Sequence, residues 1–171
     1  MTANLNQTNL DITDANLKEL FTDLQGNIVK SHGRDNSTHV FLKFTATPEV
    51  CKAFVRGVAE GVTSATQQYQ DARAHEENGS LHLFTSFLLT ATGYRALGVD
   101  EADIPADKAF RAGMKDLGIE YDTAPRGDHR PTANPLNDNL DDWEEPFQQD
   151  IDALIIFAYG GKDLSDQRIL R

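Results

Sequence analysis

Apolar and polar residues alternate most clearly between His39 and Thr45. Val40, Leu42 and Phe44 point one way, and His39, Lys43 and Thr45 the other. Alternation with period two predicts a half-buried β-strand. The period then changes to four: Val50, Phe54, Val58 and Val62 predict a helix with those residues as its buried stripe. Thr47-Pro48-Glu49 opens it with an N-cap hydroxyl, a proline at the first helical position and an early acid. Gly61 marks its end. Ser64-Ala65-Thr66-Gln67 has the form of a capping box and opens a second helix, polar and exposed, that stops at Asn78-Gly79. Leu81 to Leu89 predicts a second strand, apolar enough on both faces to lie inside a sheet. Thr90 caps a short helix ending at Gly98, with Tyr94 and Leu97 facing inward. Phe110, Met114 and Leu117 predict a further helical turn or two. Ile151 to Tyr159 is an almost continuous apolar run, as in a central strand covered on both faces. Gly160-Gly161 breaks it, and Asp163 caps a last helix over Leu164 to Arg171.

Strands and helices thus interleave around one sheet. The order implies an α+β chain with ferredoxin-like βαβ–βαβ logic, of the dimeric α+β barrel type, its antiparallel sheet carrying helices on one side. That architecture continues with a helix and a fourth strand, so the expected sheet lacks its last strand. Residues 1 to 16, rich in Asn, Thr and Gln, predict a flexible arm. Residues 17 to 171 predict a single, C-terminally incomplete domain.

Charge narrows the partners. The 171 residues carry a formal net charge of −11, which repels nucleic acid and anionic membrane surfaces. No apolar run approaches the roughly 18 residues of a membrane span. Met1 to Leu20 lacks the basic start and apolar segment of a secretory signal and has no paired arginines, so the expected location is cytoplasmic. Cys51 is the single cysteine; it falls in a helical pattern and reads as an inert buried thiol. From Pro131 to Asp152 there are seven acids (Asp138, Asp141, Asp142, Glu144, Glu145, Asp150 and Asp152) and no lysine or arginine. With Pro131, Pro135 and Pro146 among them, they read as a solvated loop. The spacing does not match a calcium-binding loop with its central glycine.

Candidate chemistry is sparse. Of the five histidines, His39 and His82 lie in strand patterns, His75 in the polar helix, His129 beside Arg126, Asp128 and Arg130, and His32 near the start of the first strand. None is spaced with a second ligand as a metal site requires. Trp143 with Tyr94, Tyr121 and Tyr159 could relay an electron, against the plainer reading of Trp143 as an anchor for its loop. There is no glycine-rich phosphate loop and no serine nucleophile motif.

One block is more specific than turn chemistry requires. Residues 23 to 34 read Asp-Leu-Gln-Gly-Asn-Ile-Val-Lys-Ser-His-Gly-Arg, and neither a turn nor a helix end demands Gln25-Gly26-Asn27 followed by His32-Gly33-Arg34. The block resembles the N-terminal signature of the dye-decolourising haem peroxidases. So, in order, do His39 to Phe44, Phe87 to Gly98, Phe110 with Gly113-Met114, and Asp150 to Ile155, together spanning roughly residues 20 to 160 and looking most like the longer bacterial and fungal branch. The resemblance implies two ferredoxin-like halves, with haem bound chiefly by the second. It places the distal aspartate in a Gly-x-x-Asp-Gly motif and the proximal histidine and distal arginine later still. No Gly-x-x-Asp-Gly occurs in this chain. No catalytic residue is therefore carried over, no metal ligand is assigned, and the cofactor-binding residues are unknown. Haem is implied by the family and is not expected to bind this chain alone. His32-Gly33-Arg34 reads as structural rather than cofactor-binding, with Gly33 turning the chain and Arg34 pairing with an acid.

Two functions follow from different classes. In one, the chain is the N-terminal part of a haem peroxidase, inactive without a haem-binding second half. In the other, it is a stand-alone, non-enzymatic domain that self-associates or binds a partner through an open sheet edge.

Overall fold

The computed structural model describes residues 17–79, 82–113 and 140–160. Along the chain the elements are α1 (Lys18–Asp23), β1 (Asn36–Leu42), α2 (Pro48–Ala59), α3 (Ala65–Asn78), β2 (Phe84–Leu89), α4 (Ala91–Ala96), α5 (Lys108–Ala112), α6 (Glu145–Gln148) and β3 (Ala153–Tyr159). The expected N-terminal arm, the turns around Met114 and Leu117, and the helix beyond Gly160 lie outside the described residues.

The strands form one sheet in the order β1-β3-β2. The Asp152 N–H donates to the Leu42 carbonyl at 2.8 Å, and the Thr90 N–H donates to the Asp152 carbonyl at 3.1 Å. The start of β3 therefore meets the ends of both neighbours, and the sheet is antiparallel. Helices lie on one side, and the sheet is open, as in a ferredoxin-like half.

The chain divides into two compact units, each holding part of every strand. The described part of the first comprises residues 17–40, 56–79, 82–87 and 155–160. Leu17, Phe21 and Ala65 form a buried cluster there, with Leu20, Leu24 and Val29 packed against it. The second holds residues 41–55, 88–113 and 140–154, and buries Cys51, Ala91, Leu97, Ile104 and Ala153.

Several expectations shift, each for a local reason. β1 occupies Asn36–Leu42 instead of His39 to Thr45, because the Phe44 N–H leaves the ladder for the Asp152 carboxylate, Oδ2, at 2.7 Å. Asp152, expected in a solvated loop, is consequently buried. β3 is central as expected, with Ala153, Ile155 and Ala158 buried and Leu154, Ile156, Phe157 and Tyr159 half-buried. On α2 the expected buried stripe is split, with Val58 and Val62 half-buried and its first two residues exposed. Val50 is 57% and Phe54 44% exposed, while the buried residue is Cys51, whose thiol approaches the Ala46 carbonyl at 3.6 Å. α3 begins as expected, with the Ser64 hydroxyl accepting from the Gln67 N–H and Gly79 left-handed at its end. It is not simply exposed, because it buries Gln68 and Asp71.

Candidate functional site

The signature block builds the densest polar cluster in the first unit. Gly26 must be glycine: a Cβ would stand 2.7 Å from the Phe84 ring and 3.0 Å from Gln68 Oε1. That approach lets the Gly26 N–H donate to the Thr63 carbonyl at 2.7 Å, while the Ala65 N–H donates to the Leu24 carbonyl at 2.8 Å. Asn27 turns left-handed at φ 68°, a conformation asparagine tolerates better than most residues. Its N–H donates to Gln68 Oε1 at 2.8 Å. The Gln68 amide nitrogen returns to the Lys30 carbonyl at 2.8 Å, so one buried side chain clips both ends of the loop. Gln25 faces the other way, its Oε1 accepting from the Phe87 N–H at 2.9 Å.

The second half of the block is held as tightly. The Asn27 side-chain oxygen accepts from the His32 N–H at 3.1 Å. Gly33 takes φ 63°, the left-handed turn expected of it. Beyond the turn, the Arg34 N–H donates to His32 Nδ1 at 3.0 Å, and its guanidinium donates to the His32 carbonyl at 2.7 Å and the His82 carbonyl at 3.1 Å. The expected acidic partner of Arg34 is Asp71, at 3.6 Å, with both side chains at most 5% exposed. Asp71 also accepts from the Gln67 side chain at 2.9 Å. The Phe84 ring lies 5.3 Å from the His32 ring and 5.6 Å from the guanidinium. Burial, and secondarily the Arg34 charge, hold the His32 pKa below its ordinary value. Arg34 is itself lowered by burial, opposed by Asp71.

The stretch from Thr90 to Gly98, part of the family-like segment Phe87 to Gly98, has its own use in the second unit. The Thr90 hydroxyl accepts from the Gly93 N–H at 3.1 Å and donates to the Ile151 carbonyl at 2.7 Å. A Cβ on Gly93 would overlap the Asp152 carbonyl oxygen. Helix α4 can therefore approach the start of β3 only through a glycine.

The remaining candidates are dispersed. His39 is exposed and shares a hydrogen bond with the Ser37 hydroxyl at 3.2 Å. His75 and His82 are exposed. His129 and Tyr121 lie outside the described residues. Tyr94 packs edge-on to Phe110 at 6.2 Å, and the Trp143 carbonyl accepts from the Gln148 amide at 2.7 Å. Asp141, Asp142, Glu144 and Glu145 are exposed, and Asp138 is outside the described residues. Among the described residues, no three of His, Cys, Asp or Glu are grouped as a metal ion would require.

A haem iron takes an imidazole through a free ring nitrogen lone pair. His32 is the one partly buried histidine described, and its Nδ1 already accepts from Arg34, which leaves the proton on Nε2. The Arg34 cation beside it further opposes iron ligation. His32 as placed therefore presents no free ring lone pair to a haem iron. Sequence reasoning missed Thr63, Gln68, Asp71 and Phe84 as the partners of the signature. Their only trace was the pair of polar residues three apart, Gln68 and Asp71, on one face of α3.

No protein-family model matches the chain. Among curated proteins it is 34% identical over 142 residues to the multifunctional dye peroxidase DyP2 of Amycolatopsis sp., covering 81% of this chain and 26% of that protein. Among solved structures, the DyP-type peroxidase of Anabaena sp. superposes with a TM-score of 0.70 at 34% identity, over 88% of this chain and 30% of its own. The DyP2 structure from Amycolatopsis sp. gives 0.66 at 29% identity, over 84% and 28%. The dye-decolorizing peroxidase of Pleurotus ostreatus, at 18% identity and a TM-score of 0.57, shares the fold. The chain thus spans 26–30% of the length of these relatives.

Proposed function

We propose, for a chain that matches the N-terminal portion of dye-decolourising-type peroxidases, that it serves as the supporting ferredoxin-like half of such an enzyme. Peroxide-dependent oxidation of organic substrates then requires a haem-binding second half, and this chain alone performs none. The observation that carries the reading is the use made of the signature. Gln25, Asn27, His32 and Arg34 bind this chain's own backbone and side chains, and the acceptor nitrogen of His32 is already taken. The sequence also contains no Gly-x-x-Asp-Gly to place a distal acid. Mixing the purified chain with haemin, peroxide and an organic dye tests this. Dye oxidation no faster than with free haemin is expected; turnover clearly above that background would refute the reading.

A second reading, association through the sheet edge, is supported by β1, whose residues Asn36 to His39 are all exposed. That edge is polar and short, which discourages open-ended strand pairing. A native mass above that of a monomer, at micromolar concentration, would favour it.

A further inference from the structure

The end of the signature loop turns on a glycine with open space around it. Gly33 takes φ 63°, and a Cβ there would meet nothing within 4 Å. The residues on either side of that turn close on each other. The Arg34 N–H donates to His32 Nδ1 at 3.0 Å, and the Arg34 guanidinium donates to the His32 carbonyl at 2.7 Å. Both side chains lie against the ring of Phe84, which is fully buried, at 5.3 and 5.6 Å. On α3, the Asp71 carboxylate is committed to Arg34 at 3.6 Å and to the Gln67 amide at 2.9 Å. Ahead of β2, His82 meets the cluster through its carbonyl, at 3.1 Å from the guanidinium, and its side chain is exposed. Lys30, earlier in the loop, places its Nζ over the Tyr69 ring at 5.4 Å.

A second proton on the imidazole breaks this closure at one atom. It goes onto Nδ1, whose lone pair holds the Arg34 N–H, so a donor would face a donor. It also sets two cations against one aromatic ring, with Asp71 already paired. The ring is half-buried and within reach of solvent. We propose that His32 is an acid-operated latch: protonation swings the imidazole and the Gly33 turn away from Arg34 and Phe84, while the clip formed by Asn27, Gln68 and Lys30 stays closed. That clip uses the Asn27 N–H, the Gln68 side-chain amide and the Lys30 carbonyl, none of which titrates. The His32 N–H bond to Asn27 Oδ1 is exposed, so water replaces it on opening. Burial and the Arg34 charge hold the His32 pKa below 6.5. The latch is therefore shut above that lowered value and opens as the pH falls through it. Opening uncovers Phe84 and the Arg34–Asp71 pair, so the face of the signature loop changes with acidity.

The test follows the backbone amides and histidine rings of the full, isotope-labelled chain by NMR from about pH 7.5 to about pH 4.5. The Gly33 and Arg34 amide resonances are expected to move with the same midpoint as the His32 ring, below 6.5. Hydrogen-exchange protection at Arg34 should fall about tenfold for each pH unit by which the latched ring titrates below the freed one. Asn27 keeps its protection over the same range. His32→Gln removes the pH dependence at Arg34, and His39→Gln, at an exposed histidine, retains it. An Arg34 amide indifferent to the titration of the His32 ring overturns the latch, as does a ring midpoint at or above 6.5. Loss of protection at Asn27 together with Arg34 overturns it by showing general unfolding in place of a local opening. Should His32→Gln fail to fold, the comparison of Arg34 with Asn27 in the wild-type chain decides alone.

Discussion

His32 depends on its neighbours being able to donate to it. Its Nδ1 accepts from the Arg34 N–H, and burial together with the Arg34 charge favours the neutral ring. A histidine whose pKa is lowered on folding adds stability above its unfolded value, ordinarily 6.5, and that stability is lost as the pH falls through the folded value. Wild type should therefore lose melting temperature between pH 7 and pH 5 more steeply than His32→Gln, which cannot be protonated. Parallel slopes in a thermal-shift titration would contradict this. Asp71 stands over the same cluster. Removing its carboxylate with Asp71→Ala leaves a buried guanidinium without its counter-charge, and about 3 kcal/mol of stability should disappear on denaturant unfolding. Asp71→Asn, which can still accept from Gln67, should cost less. At this scale the sequence was half legible. Gly33 as a turn and Arg34 as one arm of an ion pair could be read from local chemistry. Asp71, Gln68 and Phe84 could not, since only folding brings α3 and β2 against the loop.

The elements divide the same way. All three strands could be read from apolar periodicity, yet β1 is displaced because a buried side chain, Asp152, captures the Phe44 N–H. Period-four spacing located α2 but not which part of its stripe meets the sheet: Val58 and Val62 are half-buried, and Val50 and Phe54 are exposed. The polar composition of α3 suggested full exposure, whereas Gln68 and Asp71 are buried because Gln68 hydrogen-bonds the signature loop and Asp71 pairs with Arg34. Helix α1 carries no strong pattern and passed unread. The junction of α4 and β3 supplies the sharpest test at this level. Thr90 ties the helix start to the Ile151 carbonyl, and Gly93 admits the Asp152 carbonyl where a methyl group would collide. Gly93→Ala should cost about 1–3 kcal/mol by forcing the helix off the strand, outweighing the gain of roughly 1 kcal/mol that alanine brings to a helix interior. A variant as stable as wild type would remove the close approach from the account.

At the scale of the whole molecule, the resemblance to a peroxidase rests on residues that this chain uses to hold its own fold. Two segments that resemble the family, Asp23 to Arg34 and Phe87 to Gly98, have structural work in this chain: one seats a loop on α3 and β2, the other seats α4 on β3. The lineage was legible because those residues meet close steric and hydrogen-bonding demands that local propensity does not impose. The exposure of Val50 and Phe54 was not, because periodicity records amphipathicity and not how far along the helix the packing extends. A spectrophotometric titration of the purified chain with haemin tests the central claim most directly. The account expects no saturable one-to-one complex and no Soret band distinct from that of free or non-specifically adsorbed haem. A saturable one-to-one complex, abolished by replacing a single histidine, would contradict it.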